Sequence, residues 1–150
     1  MIRRTNAICI CAFLLALNLI FIWGNSLLPA DMSKAISDWV AELLPDREEM
    51  SVSPNQEAKI LRKAAHFTEF TALGFLLSWM AILLKKRQHY ALLSGVMAAC
   101  IDETIQIFVP ERGPGLTDVL IDAGGVAAGM ILLCLGNAIV RKIRNIQLGG

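Results

Sequence analysis

Long apolar stretches without a single charged residue leave this chain few ways to fold in water. The first stretch extends from Thr5 to Ala30 and exceeds the ~20 residues that a helix needs to cross a bilayer. With 55% hydrophobic and only 18% charged residues, the chain is too apolar for an ordinary soluble domain. We therefore expect one compact membrane domain over residues 1–150.

Four apolar stretches predict an all-α, polytopic membrane protein with a compact bundle of four transmembrane helices. The predicted spans cover about residues 7–28, 64–84, 90–109 and 116–140. Arg3 and Arg4 precede the first span, as in a signal peptide, but the apolar stretch is longer than the ~7–15 residues of a signal-peptide core and lacks an Ala-x-Ala-like cleavage site. We therefore interpret it as an uncleaved helix. Its cleavage would leave three spans.

The basic residues predict the orientation, because short basic loops and flanks favour the cytoplasm. They lie before the first span, between the second and third, and after the fourth: Arg3, Arg4, Lys85, Lys86, Arg87, Arg141, Lys142 and Arg144. These three segments contain no Asp or Glu. We therefore predict a multi-pass protein of the cell (cytoplasmic) membrane with both termini in the cytoplasm. The net charge of +1 gives no indication of a nucleic-acid partner.

The outer loop after the first span contains apolar residues at helical spacing. The spaced positions, between Ser33 as an N-cap and Pro45, are Ile36, Trp39, Val40, Leu43 and Leu44. They predict a short amphipathic helix at the outer surface. A lid over a site and a packed surface helix both fit this periodicity.

Six acidic or imidazole side chains interrupt the apolar stretches. They are His66, Glu69, Asp102, Glu103, Asp118 and Asp122. A charged residue at the centre of a membrane helix costs at least ~2.5–3.5 kcal/mol, so such a cluster usually marks a site or a proton relay. With the 1.5 Å rise of a helix, all six lie within about 10 Å of the outer ends of their spans. We expect them to meet in one site near the outer surface.

Helical spacing also places these groups on shared faces. On the second helix, the i, i+4, i+7 spacing places three residues on one face: Arg62, His66 and Glu69. On the third helix, Gln106 shares a face with at least one of Asp102 and Glu103. A stripe on the fourth helix contains Asp118, Asp122, Gly125 and Gly129. Its two glycines permit close helix approach, so we expect the acidic face to be the packed face.

These residue types suit acid–base chemistry beside a rim that binds anions. Five groups can position or exchange protons. These predicted catalytic residues are His66, Glu69, Asp102, Glu103 and Asp122. The predicted substrate-binding residues are Arg62, Lys63, Gln106, Arg112 and Asp118. The alternative is structural, with carboxylates that bond helices together or pair with the cations. The sequence leaves open whether the protein is an enzyme.

No motif indicates a cofactor, a serine nucleophile or a cysteine nucleophile. A histidine among carboxylates can bind a divalent cation, and oxygen ligands would favour magnesium, calcium or manganese over zinc. However, His66 and Glu69 stand in the reverse of the Glu-x-x-His order of di-iron bundles, and no paired ligand motif is present. We therefore predict neither a metal nor another cofactor.

Several ordered motifs between residues 62 and 129 resemble those of the VanZ family, with a weaker likeness at residues 23–29. The motifs are RKAAHFTEF (62–70) with LG (73–74), DETIQ (102–106) with FVP (108–110) and Arg112, and DVLID (118–122) with Gly125 and Gly129. Glu111 departs from the glycine that many members have there. The resemblance maps motif positions onto Lys63, His66, Glu69, Asp102, Glu103, Gln106, Arg112, Asp118, Asp122 and Gly125.

The resemblance implies a membrane protein that influences resistance to the antibiotic teicoplanin or, more broadly, the cell envelope. It implies no established mechanism. We predict that the outward-facing polar site binds or modifies an envelope lipid, a wall precursor or a surface polymer. The alternatives are proton-coupled transport, for which so few helices would require a homo-oligomer, and a non-catalytic module that binds partner membrane proteins or the antibiotic.

Overall fold

The computed structural model describes residues 2–29, 32, 35, 36, 39, 54–110, 112, 113 and 115–148, and over these residues the chain is all-helical, without a β-strand. The four long helices are α1 (Ile2–Ser26), α2 (Pro54–Leu83), α3 (Gln88–Gln106) and α4 (Leu116–Leu148). The predicted all-α class is thus confirmed. The predicted surface helix between Ser33 and Pro45 lies for the most part outside the described residues.

Three of these helices are long and apolar enough to cross a membrane. The qualifying segments are Arg4–Ser26, Lys59–Leu83 and Leu116–Gln147. Helix α3 is only 19 residues long, and it has Gln88 and His89 at one end and Asp102 and Glu103 near the other. These polar residues lower its mean hydropathy. A membrane protein is therefore supported, and the crossing of α3 stays a prediction.

Successive helices run antiparallel. The Arg4 side chain donates hydrogen bonds to the carbonyl of Leu83, which joins the start of α1 to the end of α2. The Ser78 hydroxyl donates to Oε1 of Gln88 at 2.6 Å near the turn between α2 and α3. We call the opposite end of the bundle the polar end. There the ends of α1 and α3 lie beside polar residues of α2 and α4. Its central residues are Ser26 of α1, His66 of α2, Asp102 of α3 and Asp122 of α4.

Helices α2 and α4 form the most extensive helix pair because glycine lets their backbones touch. A Cβ atom at Gly125 would lie 2.6 Å from the carbonyl oxygen of Phe67, and one at Gly129 would overlap the carbonyl oxygen of Thr71. The GxxxG stripe therefore lies in the helix interface, as its sequence predicts. The adjoining apolar core contains Ile22, Phe70, Leu73, Ala98, Ala99 and Val126.

The helix ends differ from the predicted spans because hydropathy marks the bilayer rather than the helix. Helix α2 already begins at Pro54, a residue that suits the first turn because it lacks an N–H to satisfy. Helix α4 continues to Leu148 through a basic segment of good helix formers. Helix α3 ends at Gln106, before a turn that leads to Pro110.

Candidate functional site

Asp102 is fully buried at the polar end, and both of its carboxylate oxygens are satisfied. The Ser26 hydroxyl donates to Oδ1 at 2.7 Å, and Nε2 of Gln106 donates to Oδ2 at 3.0 Å. These hydrogen bonds offset much of the cost of burying a polar group. Asp102 thereby joins the end of α1 to α3.

Glu103 connects α3 to the loop before α4. Its Oε1 atom accepts a hydrogen bond of 3.2 Å from Nε2 of Gln106, and its Oε2 atom accepts one of 2.7 Å from the backbone N–H of Gly115. A hydrogen bond to an ionised carboxylate is stronger than one between neutral groups. Glu103 thus fixes the end of the loop that contains Arg112.

Asp122 differs from these two acids because neither of its oxygens has a hydrogen-bond partner, although the residue is fully buried. Nδ1 of His66 lies 3.7 Å from Oδ1 of Asp122 and 3.8 Å from Oδ2 of Asp102. Both distances exceed those of ordinary N–H···O hydrogen bonds. One donor atom from each of the three residues lies within 4.8 Å of the others, so this group of described residues could hold a metal ion.

Two neutral residues at the end of α1 also belong to this network. Besides the Ser26 bond, Nδ2 of Asn25 donates to Oε1 of Glu69 at 2.9 Å, while Oε2 of Glu69 is buried without a partner. Neither Asn25 nor Ser26 is among the site residues that the sequence predicts. The available signal was a pair of polar residues at the C-terminal end of an apolar helix, within the weaker VanZ-like segment at 23–29.

The cations have separate environments. Nζ of Lys63 pairs with Oδ1 of Asp118 at 3.0 Å where both side chains are partly exposed, so solvent weakens this pair. Arg112 donates to the backbone carbonyls of Asn25 and Ser26 at 3.4 and 3.3 Å and thereby satisfies carbonyls at the end of α1. Burial lowers the pKa of the Arg112 guanidinium, and the positive charge of Arg62 lowers it further.

Two cavities adjoin the buried acids. The smaller, about 10 Å³ in volume, is lined by Arg62, Lys63, His66, Glu103, Gln106, Asp118, Ile121 and Asp122. The larger, about 380 Å³, is lined by Phe21, Asn25, Leu28, Ile36, Arg62, Ala65, His66, Glu69 and Arg112. His66 and Arg62 line both cavities. The larger cavity therefore combines charged groups with an apolar wall.

The structure brings every predicted catalytic and substrate-binding residue to the polar end. Each of the ten either takes part in the contacts above or lines one of the two cavities. Their proximity follows from the antiparallel helices, which bring the end of α1 and of α3 beside the polar residues of α2 and α4. The roles assigned to these residues stay predictions.

Comparison with protein families matches residues 7–138 to the model of the VanZ/LLP1 family. The chain belongs to the VanZ/LLP1 family. The matched range includes Asn25 and Ser26 as well as the motifs on α2, α3 and α4, so the whole polar end lies within the VanZ/LLP1 region. Comparison with curated proteins and with solved structures gave no match.

Proposed function

We propose that this VanZ/LLP1 protein binds an amphiphile with an anionic headgroup, such as an envelope lipid or a lipid-linked wall precursor, in the larger cavity of the polar end. The observation that carries this proposal is the mixed lining of the 380 Å³ cavity. Arg62 and Arg112 suit a phosphate or carboxylate, because guanidinium groups bind such anions in a bidentate manner. Phe21, Leu28 and Ile36 suit the hydrocarbon part of the same molecule.

Mutual repulsion of the two guanidiniums supports this assignment. Arg62 disfavours the charged form of Arg112, and an anion between them would relieve that repulsion. Lys63 differs because its ammonium already pairs with Asp118. Arg62 and Arg112 are therefore the proposed headgroup ligands, with Lys63, Asp118 and Gln106 as their supporting neighbours.

In the proposed membrane arrangement α3 also crosses the membrane, which makes four spans. Both termini are then cytoplasmic, and the polar end lies at the outer surface of the cytoplasmic membrane. The basic turn of Lys85, Lys86 and Arg87 at the opposite end of the bundle supports this orientation. Ile36 lies in the outer loop and lines the larger cavity, which supports a role of that loop as a lid. A wall precursor bound here would connect the protein to teicoplanin susceptibility and to envelope homeostasis.

We further propose that the protein modifies the bound headgroup. His66 and Glu69 line the larger cavity, so they are the groups that would exchange protons with a bound molecule. Asp102 and Glu103 are held by hydrogen bonds and would act by positioning their neighbours. Turnover of a headgroup by the wild type, lost in Glu69→Gln with binding retained, would support an enzyme.

Binding is tested with purified protein and three lipids: phosphatidylglycerol, a polyprenyl phosphate and zwitterionic phosphatidylcholine. Native mass spectrometry should show retention of the anionic lipids in preference to the zwitterionic one. Arg112→Gln should weaken this retention by about tenfold, because charge-assisted hydrogen bonds contribute ~1.5–3 kcal/mol each.

The matched control is Arg87→Gln, an exposed residue at the opposite end, which should retain the lipids as the wild type does. Equal retention of all three lipids, or equal losses in Arg112→Gln and Arg87→Gln, would refute the proposal.

Transport and assembly are the alternative functions. The buried acids of the described residues all belong to the polar end, which gives little support to a proton path across the bundle. Proton flux into liposomes that is lost in Asp102→Asn would favour transport, through a homo-oligomer. Capture of a partner membrane protein or of teicoplanin without turnover would favour a non-catalytic module.

A further inference from the structure

His66, Asp102 and Asp122 each offer one possible ligand atom for a cation, and these atoms lie within 4.8 Å of one another. We propose that these three residues bind one divalent cation of the kind that accepts both imidazole nitrogen and carboxylate oxygen, with Zn²⁺ and Mn²⁺ as the candidates. Ca²⁺ and Mg²⁺ prefer sites built from oxygen alone. The cation site does not depend on the proposed binding of a lipid.

Asp122 provides the first argument. It is fully buried, and neither carboxylate oxygen accepts a hydrogen bond. The other buried acids of this end, Asp102 and Glu103, each have partners on both oxygens. An uncompensated carboxylate in a buried position is costly, whereas a metal ion would supply the missing partner.

The geometry provides the second argument. The three donor atoms come from α2, α3 and α4 and lie within 4.8 Å of one another, with Nδ1 of His66 3.7 Å from Asp122 and 3.8 Å from Asp102. Ligands at the ~2.0–2.2 Å bond lengths of a tetrahedral zinc ion lie about 3.3 Å apart. A small inward movement of the side chains would therefore form the site.

The adjoining 10 Å³ cavity provides the third argument. It is lined by His66 and Asp122, and its volume is close to the ~10–15 Å³ that one water molecule requires. A bound ion could keep a water ligand there, as catalytic metal sites do. Gln106 and Glu103 line the same cavity and would face that water.

Hydrogen bonds and charge agree with this assignment. Ser26 and Gln106 fix the carboxylate of Asp102, as outer-shell partners fix metal ligands. Among the described residues that line the two cavities or bond to their lining, the ionised forms of Glu69, Asp102, Glu103, Asp118 and Asp122 would exceed the cations Arg62, Lys63 and Arg112 by two charges when His66 is neutral. A divalent cation would balance that excess. A protonated His66 between the two aspartates is the competing explanation.

The cation site is tested with purified protein that has no polyhistidine tag, stripped with a chelator and then titrated with Zn²⁺ or Mn²⁺. Metal analysis should find about one ion per chain, and the ion should raise the thermal unfolding midpoint. Asp122→Asn should weaken the affinity by on the order of tenfold or more, since even outer-shell changes have effects of that size. In chelator, however, Asp122→Asn should be about as stable as the wild type, because the Asp122 side chain has no hydrogen-bond partner to lose.

Thr104→Ala is the matched control, because Thr104 is an exposed residue whose hydroxyl bonds to a backbone carbonyl within α3. It should keep the wild-type affinity, while His66→Gln should lose it as Asp122→Asn does. Failure of the wild type to bind either ion, or equal affinities in Asp122→Asn, His66→Gln and the wild type, would overturn the cation site. Lipid binding that persists in that case would leave the proposed function intact.

Discussion

The Ser26 hydroxyl donates a 2.7 Å hydrogen bond to Asp102, and both side chains are fully buried. Ser26→Ala removes the donor and leaves Oδ1 of Asp102 without this partner. We expect a loss of about 1–3 kcal/mol in the free energy of unfolding, which is the usual effect of an unsatisfied buried group. Thermal unfolding in detergent measures it, with Ser94→Ala at an exposed position of α3 as the control. Equal stabilities of the two variants would contradict this role of Ser26.

Gly129→Ala should separate α2 from α4. The added Cβ would collide with the backbone at Thr71 and Phe75, which cannot move aside as a flexible side chain would. We expect destabilisation by about 1–3 kcal/mol, as for other overpacked interiors. Thermal unfolding again provides the measurement.

Gly136→Ala on the same helix is the matched control, because a Cβ there meets no atom within 4 Å. The gain in helix propensity should leave this variant as stable as the wild type, or more stable by up to about 1 kcal/mol. If Gly129→Ala proved as stable as Gly136→Ala, the close contact between α2 and α4 would be wrong.

Glu103→Ala should loosen the loop that contains Arg112. The variant loses the 2.7 Å hydrogen bond from the N–H of Gly115. Because a hydrogen bond to a charged group contributes about 1.5–3 kcal/mol, the Gly115 amide should exchange its hydrogen roughly ten times faster or more. Hydrogen–deuterium exchange of the loop measures this effect. Thr104→Ala, which alters an exposed residue of the same helix that bonds within α3, should leave the exchange unchanged.

The sequence was sufficient for the helices and for the prediction that the buried acids meet at one end of the bundle. Apolar stretches of this length predict helices, and the short turn between α2 and α3 makes those two helices antiparallel neighbours. The glycine stripe also predicted the packed face of α4, since Gly125 and Gly129 touch the backbone of α2. These features depend on local patterns or on the alternating direction of the spans.

Hydrogen-bond partners could not be predicted in the same way. Ser26 and Asp102 are 76 positions apart, and a lone serine at the end of an apolar helix has no periodicity that indicates a contact. The same limit applies to Asp122, because its sequence spacing resembles that of the paired acids. Only the packing of α2, α3 and α4 shows that Asp122 lacks a hydrogen-bond partner.

The side of the membrane to which the larger cavity opens can be measured by cysteine labelling. Ala65→Cys places a thiol on an exposed residue of the cavity wall, in a background with Cys9, Cys11, Cys100 and Cys134 replaced by Ala. A membrane-impermeant maleimide should label this thiol in intact cells, whereas Lys86→Cys at the opposite end should react only in inverted vesicles. Labelling of Ala65→Cys from the cytoplasmic side alone would contradict an outward-facing site for envelope lipids.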